Sequence, residues 1–414
     1  YGQKLIHTPH LDRMAGEGMR FTRHYSGSTV CAPSRGALMT GLHTGHSYIK
    51  GNFAMQTEGN LPIPDSTITV AELLKEAGYT TAMIGKWGLG GPGSVGGPNS
   101  QGFDYSFGYL DQRNAHEYYP PYLWKNEQKH PLDNQEVPRE YSHDLFTAEA
   151  LSFIRASKDR PFFLYLPYTI PHGAFQIPDD APYSSESWSQ SQKNYAAMIT
   201  RLDRDVGRIL AMLKSEGLDE NTIVFFTSDN GGVRGMSDFF QANGPLRGYK
   251  RDFYEGGIRV PLIVRWPGKI KQGSVSDHIS AGWDFLPTAC ELAGVSPPEH
   301  IDGISFLPEL LGKEQKSHAY LYWENFKYYY SWKPGDEGPR NGFEAQAVRL
   351  GKWKGVRHGI NKDSNSPIEL YDLSKDLPEK NNVADRYPDI VQRIENIMRV
   401  ARHDTEFFQA ASHN

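Results

Sequence analysis

Short apolar runs alternate with amphipathic stretches over roughly the first three quarters of the chain. Val70, Leu73, Leu74 and Ala77 recur at helical spacing and predict a helix over residues 69–77 with one apolar face. After Gly78, residues 79–84 read as a buried strand, and residues 162–166 and 222–227 repeat that pattern. Residues 260–264 predict a further strand, with Pro261 placing it near an edge or a strand start. The longest helix is predicted over residues 194–215, where Met198, Ile199, Leu202, Val206, Ile209, Leu210 and Leu213 follow the i, i+3, i+4 rule. Residues 283–293 predict a short packed helix holding Cys290 as a small core side chain. Strands alternating with helices imply an α/β domain. From about residue 313 the texture changes. Residues 318–323, 345–349 and 368–373 read as short strands between polar, Gly/Pro-rich loops, and a helix is predicted over 388–401. The chain therefore divides into a larger domain, 1–312, and a small C-terminal domain, 313–414, with an antiparallel sheet and one packing helix.

Composition narrows the function classes. A chain of 414 residues has room for one large domain and a smaller one. A net charge of −5 without a Lys/Arg stripe argues against a nucleic-acid partner. No apolar run reaches membrane-spanning length. Two cysteines, Cys31 and Cys290, are too few for a disulfide framework and lack zinc-type spacing. The chain opens on Tyr1-Gly2-Gln3 with neither an initiating methionine nor a signal peptide, so no targeting segment reports its compartment.

Candidate chemistry collects just after the strands or at a helix start, where sites form in open α/β sheets. In Cys31-Ala32-Pro33-Ser34-Arg35, Pro33 is preset for a first helical turn, and residues 36–40 continue it. Cys31 then sits at a helix start, whose free N–H groups favour negative charge. Arg35 faces the same side one turn on, with a fork suited to oxyanions. Lys86, in Gly85-Lys86-Trp87, follows the first strand and is a point-charge partner for a tetrahedral oxyanion. His172 follows the second strand in Pro171-His172 and is a candidate proton donor to a leaving oxygen. Asp229 and Asn230 close the third strand as adjacent hard oxygen ligands suited to calcium or magnesium, and Gly231 and Gly232 let the backbone bend there. His43, His46 and His116 read as structural or substrate-edge groups.

The Cys31-to-Arg35 motif resembles the sulfatase signature, and four further segments occur in the order found in that family. These are Gly85-Lys86-Trp87, Pro171-His172, Ser228-Asp229-Asn230-Gly231, and the block from Arg247-Gly248-Tyr249-Lys250 to Glu255-Gly256-Gly257-Ile258-Arg259-Val260-Pro261. The resemblance implies an alkaline-phosphatase-like fold: a large mixed, mostly parallel sheet between helices, followed by the small C-terminal α+β domain. It implies that Cys31 is oxidised to formylglycine by a dedicated maturation enzyme. The aldehyde's hydrate is then the nucleophile, and sulfate is removed through a sulfo-enzyme intermediate assisted by calcium, magnesium being less suited. It assigns Arg35, Lys86 and Lys250 to sulfate, His172 to the leaving group, and Asp229, Asn230 and position 31 to the metal. Arg247, Glu255 and Arg259 are expected to be scaffold ion-pair residues. The implied substrate is a sulfated sugar within a polysaccharide such as a glycosaminoglycan or an algal galactan, and the implied location is periplasmic or secreted. The aromatic-rich stretch 118–124 and Trp323 fit a sugar-facing surface and core packing equally well.

Two departures bear on that expectation. The family reads Gly-Lys-Trp-His-Leu-Gly where this chain has Gly88 in place of the histidine, which is thought to help release sulfate. The family also begins with a strand ending in an Asp-Asp pair that supplies two metal oxygens. That strand is expected just upstream of Tyr1; Asp179-Asp180 lies in a distant loop. The rival activities are a phosphonate monoester or phosphodiester hydrolase, and a non-catalytic carbohydrate-binding relative.

Overall fold

Helix Val70–Glu76 forms where the apolar spacing places it, and a reciprocal cap closes its start. The Thr69 hydroxyl accepts from the Glu72 amide, while the Glu72 carboxylate accepts from the Thr69 amide at 2.7 Å. In this computed structural model, which describes residues 1–55, 58–326, 329–332 and 342–410, Gly78 at φ +86° then turns the chain into strand Thr80–Lys86. That strand runs parallel to both neighbours, Tyr105–Tyr109 and Phe162–Tyr165. Strands Tyr122–Lys125 and Gln128–Pro131 extend the same sheet antiparallel on the Tyr105–Tyr109 side.

A second mixed sheet has the order Ser274–Ser276, Met19–Phe21, Leu262–Arg265, Val224–Thr227. The two sheets meet over helix Phe285–Ala293. There the Phe285 ring packs against Phe163 of one sheet, 6.1 Å between centroids, and against Phe225 of the other at 5.4 Å. Cys290, in the same helix, is fully buried in the core, as its apolar neighbours predict. Helix Gln190–Ser215 starts four residues before the predicted position because Ser189 and Gln192 form a second reciprocal cap. Its buried face includes Met198, Val206, Leu210 and Leu213.

The C-terminal sheet is antiparallel, in the order Leu321–Phe326, Phe343–Leu350, Trp353–His358, Ile368–Asp372. Helix Pro388–Val400 covers it with Ile394 and Met398. Strand Trp353–His358 was not predicted. Its Lys354 is fully buried, and Lys354 Nζ lies 2.9 Å from Glu255 Oε1 and 3.3 Å from Glu379 Oε1. Glu255 also accepts from the Tyr25 hydroxyl at 2.8 Å and pairs with Arg259 at 3.2 Å, so both residues are the scaffold pairs expected of them. Arg247 is held differently, with its guanidinium 3.7 Å over the Tyr254 ring and a hydrogen bond to the Glu379 carbonyl at 2.7 Å. Among the described residues, no helix is long and apolar enough to cross a membrane.

Candidate active site

Helix Cys31–Thr40 begins with the cysteine itself, two residues before Pro33. Val30 is extended and offers no side-chain cap, so the first amides look elsewhere: Ala32 N donates to Asn52 Oδ1 at 2.8 Å. Gly41, at φ +71°, ends the helix and returns its N–H to the Ala37 carbonyl. Cys31 and Arg35 are both buried, one turn apart on the same helix.

Three other chain segments reach this helix start. Lys250 Nζ lies 3.3 Å from Cys31 Sγ, and the Cys31 thiol points to Asn230 Oδ1 at 3.8 Å. Arg35 Nη2 donates to Asp229 Oδ2 at 2.9 Å, and Arg35 Nη1 contacts the Trp87 carbonyl at 3.5 Å. Lys86 is buried at the end of its strand. Burial alone raises the Cys31 thiol pKa; Lys250, Lys86 and Arg35 outweigh it and hold the thiol below its ordinary range. Burial likewise opposes ionisation of Asp229, and Arg35, Lys250 and Lys86 reverse that too. Lys86 pays the electrostatic cost: burial, with Arg35 and Lys250 nearby, brings its pKa down to about 8. The arrangement is a buried cradle of cations around position 31.

His172 stands at the edge of this cradle. Its Nδ1 lies 3.0 Å from the Gly173 carbonyl, and a donating Nδ1–H leaves Nε2 for a ligand. The Tyr118 hydroxyl donates to the His172 carbonyl at 2.8 Å and fixes the loop. Burial, then Lys250 and Lys86, lower the His172 pKa to about 2, so its ring is neutral near pH 7. His116 stacks on His172 with ring centroids 4.2 Å apart and is lowered to about 4 by burial and the same lysines.

The side chains beside position 31 offer a hard cation two oxygen-bearing groups, a part of the roughly six to eight oxygens that calcium takes. Asp229 and Asn230 are half-buried side-chain oxygen donors, and Asn230 Nδ2 is turned away to the Gly231 carbonyl, leaving Oδ1 toward Cys31. A separate group, His43, His46 and Asp302, brings ligand-type atoms within 4.8 Å of one another. It is internally satisfied: Asp302 Oδ1 faces His46 Nδ1 at 2.8 Å and His43 Nε2 at 3.3 Å, Oδ2 accepts from His43 N, and His43 Nδ1 accepts from Gly45 N. These bonds make it a structural knot.

A family model for sulfatases matches residues 1–295, and a model described as N-sulphoglucosamine sulphohydrolase, C-terminal, matches residues 248–404. The chain belongs to the sulfatase family.

Among sulfatases it is similar to the uncharacterized sulfatase YdeN of Escherichia coli (32% identity, 95% of this chain, 76% of the relative). It is also similar to the N-acetylgalactosamine-6-O-sulfatase of Bacteroides thetaiotaomicron (32%, 96% and 89%). The canine N-acetylgalactosamine-6-sulfatase is 35% identical over 78% of this chain, which spans 65% of that enzyme's length. The crystal structure of Ps i-CgsB in complex with k-i-k-neocarrahexaose matches with a TM-score of 0.81 at 28% identity, covering 99% of this chain and 91% of that one. The likeness supports the alkaline-phosphatase-like α/β architecture expected of a sulfatase.

Every residue assigned to the site by resemblance lies at this cradle or in the electrostatic field of its lysines. Of the aromatic candidates, Trp323, Tyr118 and Trp124 are engaged elsewhere. Trp323 is fully buried with its Nε1 donating to the Ser26 carbonyl, and Tyr118 is fully buried as the prop behind His172. Trp124 Nε1 donates to Glu58. Gln112 was missed in the sequence, and His116, read there as a structural or substrate-edge group, stacks on His172; both lie on the segment after strand Tyr105–Tyr109. A lone histidine and a lone glutamine in a loop carry no motif.

Proposed function

We propose that this sulfatase-family chain hydrolyses sulfate monoesters of carbohydrates through a formylglycine at position 31. The observation that carries the reading is the convergence of Lys250, Lys86 and Arg35 on one buried, reactive position beside Asp229 and Asn230. Arg35, Lys86 and Lys250 bind the sulfate oxygens and are already oriented before the substrate arrives, so charge developing on sulfate is met without reorganisation. A hydroxyl of the position-31 hydrate passes its proton to the Asp229 carboxylate and attacks sulfur, and the S–O bond to the sugar breaks. The second hydroxyl then loses its proton, the carbonyl re-forms, and sulfate departs from carbon; water regenerates the hydrate. A cysteine or serine lacks that second hydroxyl and so lacks this exit.

His172 supplies the proton to the departing sugar oxygen. In the empty site, burial and the two lysines keep the ring neutral; a bound sulfate ester offsets the lysines and raises its proton affinity. Asp229 and Asn230, with the position-31 side chain, would hold calcium, with magnesium the less suited ion. Bound there, a divalent cation supplies further positive charge against sulfate.

The substrate reading is a sulfated sugar within a polysaccharide, such as a glycosaminoglycan or an algal galactan. It is supported by the relative named N-acetylgalactosamine-6-O-sulfatase and by the neighbour crystallised with a neocarrahexaose. A polymer substrate suits a periplasmic or secreted protein, and the nucleophile requires a formylglycine-generating partner. In this reading residues 1–312 carry catalysis and residues 313–414 brace it, an assignment supported by the buried Glu255–Lys354 pair. The test compares an aryl sulfate with an aryl phosphonate, using protein whose position 31 has been matured. Preferential sulfate release is expected. Preferential phosphonate cleavage would assign the site to phosphorus esters, and sugar binding without any turnover would assign it to recognition alone.

A further inference from the structure

Strands Thr80–Lys86 and Tyr105–Tyr109 run parallel, and the ladder continues past their ends: Trp87 N donates to the Tyr109 carbonyl at 2.9 Å and Gly88 N to the Leu110 carbonyl at 3.0 Å. The segment after Leu110 is thereby laid over Gly88. Gln112 follows, its backbone N–H tied to Asn60 Oδ1 at 3.0 Å. Its side chain is 2% exposed, yet neither Gln112 Nε2 nor Gln112 Oε1 has a hydrogen-bond partner among the described residues. A buried carboxamide with both polar atoms unbonded is rare unless a ligand or water takes them up.

Its position indicates what that ligand is. A methyl group built on Gly88 would stand 2.0 Å from Gln112 Nε2 and 3.8 Å from Arg35 Nη1, so the carboxamide and the guanidinium flank one glycine. Gly88 has φ +83°, a conformation that favours glycine, and any side chain there would evict Gln112 from this space. Arg35 Nε is also buried and unbonded. Gln112 Nε2 is therefore an unused N–H donor at Gly88, on the side where Arg35 Nη1 approaches that glycine, and the same guanidinium carries a second unused donor in Nε.

We propose that Gln112 is a substrate-contacting residue whose Nε2 donates to the sulfate group held by Arg35. The proposal rests on the sulfate reading of the site and assigns a side chain that no motif marks. The neutral amide adds a directional donor to a site otherwise built of point charges and a fork.

The experiment uses matured protein and reads three quantities for wild type, Gln112→Leu and Gln112→Glu: kcat/KM for an aryl sulfate, the inhibition constant of inorganic sulfate, and the melting temperature. Gln112→Leu keeps the size and removes the donor. It is expected to lower kcat/KM and weaken sulfate inhibition together by about 10- to 100-fold, the range for a hydrogen bond to a charged group, without lowering the melting temperature. Gln112→Glu, which sets a carboxylate against sulfate, is expected to lose more. Wild-type kinetics and inhibition in Gln112→Leu would overturn the assignment. So would a lower melting temperature with sulfate inhibition unchanged, which marks a structural filler. Wild-type protein that binds sulfate in a Gln112-dependent way yet cleaves no sulfate ester would sink the hydrolase reading and leave the Gln112 contact standing. Wild-type protein that neither binds nor cleaves would overturn both.

Discussion

Lys250 Nζ sits 3.3 Å from Cys31 Sγ, a contact made across 219 positions of sequence. It is the shortest route by which the cation cradle acts on the reacting position, and it is testable before maturation. With cysteine at position 31, Lys250→Ala removes the first of the charges that hold the thiol pKa down, so the thiol pKa should rise, read from the pH dependence of its alkylation. In matured protein the same substitution should lower kcat/KM roughly 10²- to 10³-fold, the cost typical of losing one preorganised donor to developing charge. An unchanged thiol pKa with unchanged turnover would separate Lys250 from the site.

Lys86 predicts the alkaline limit of activity. Its pKa, brought down to about 8 by burial and its cationic neighbours, means that the charged form is present below that pH and lost above it. The thiolate at position 31 raises that pKa; the neutral aldehyde hydrate does not, so the matured enzyme should titrate at or below about 8. The expected result is a kcat/KM that falls as pH rises through this region. Lys86→Arg, which keeps its charge, should shift the fall to higher pH. Superimposable alkaline limbs for the two proteins would show that Lys86 does not hold the sulfate.

Much of this site was legible because its parts are local. Cys31 and Arg35 are one helical turn apart, Thr69 and Glu72 form a cap within one turn, and Asp229-Asn230 ends a plainly apolar strand. Strands Tyr105–Tyr109 and Gln128–Pro131 were not legible: the first contains Gly108 at φ +145°, the second is polar and exposed along its whole length. Trp353–His358 hides a buried lysine whose partner, Glu255, is 99 residues away, so no pattern near Lys354 marks it as core. Gln112 and His116 are likewise defined by what the fold brings beside them, the Gly88 gap and the His172 ring.

Asp229 pairs with Arg35 of the cradle and, on the proposed reading, also ligates the metal. Asp229→Ala removes a carboxylate oxygen and leaves the buried Arg35 guanidinium without its 2.9 Å partner. Elemental analysis of the purified variant should show calcium lost relative to wild type, with turnover lost in parallel. Undiminished calcium content would exclude Asp229 as a ligand.

The buried group of Lys354, Glu255 and Glu379 should carry stability and leave chemistry alone. Lys354→Met leaves Glu255 and Glu379 facing each other in the interior without their shared cation. Removing one partner of a buried pair costs about 3–5 kcal/mol, read as a lower midpoint in urea. Folded variant should keep its KM for an aryl sulfate. An unchanged midpoint would mean that water or a rearranged arginine compensates the carboxylates.

The most direct test of the account is mass spectrometry of the peptide spanning position 31, taken alongside turnover, on protein produced with and without a formylglycine-generating enzyme. The account predicts aldehyde at position 31 only in the first sample, with aryl sulfate hydrolysis proportional to the fraction converted. Equal hydrolysis by protein carrying only the thiol, or no sulfate release from protein carrying the aldehyde, would contradict it.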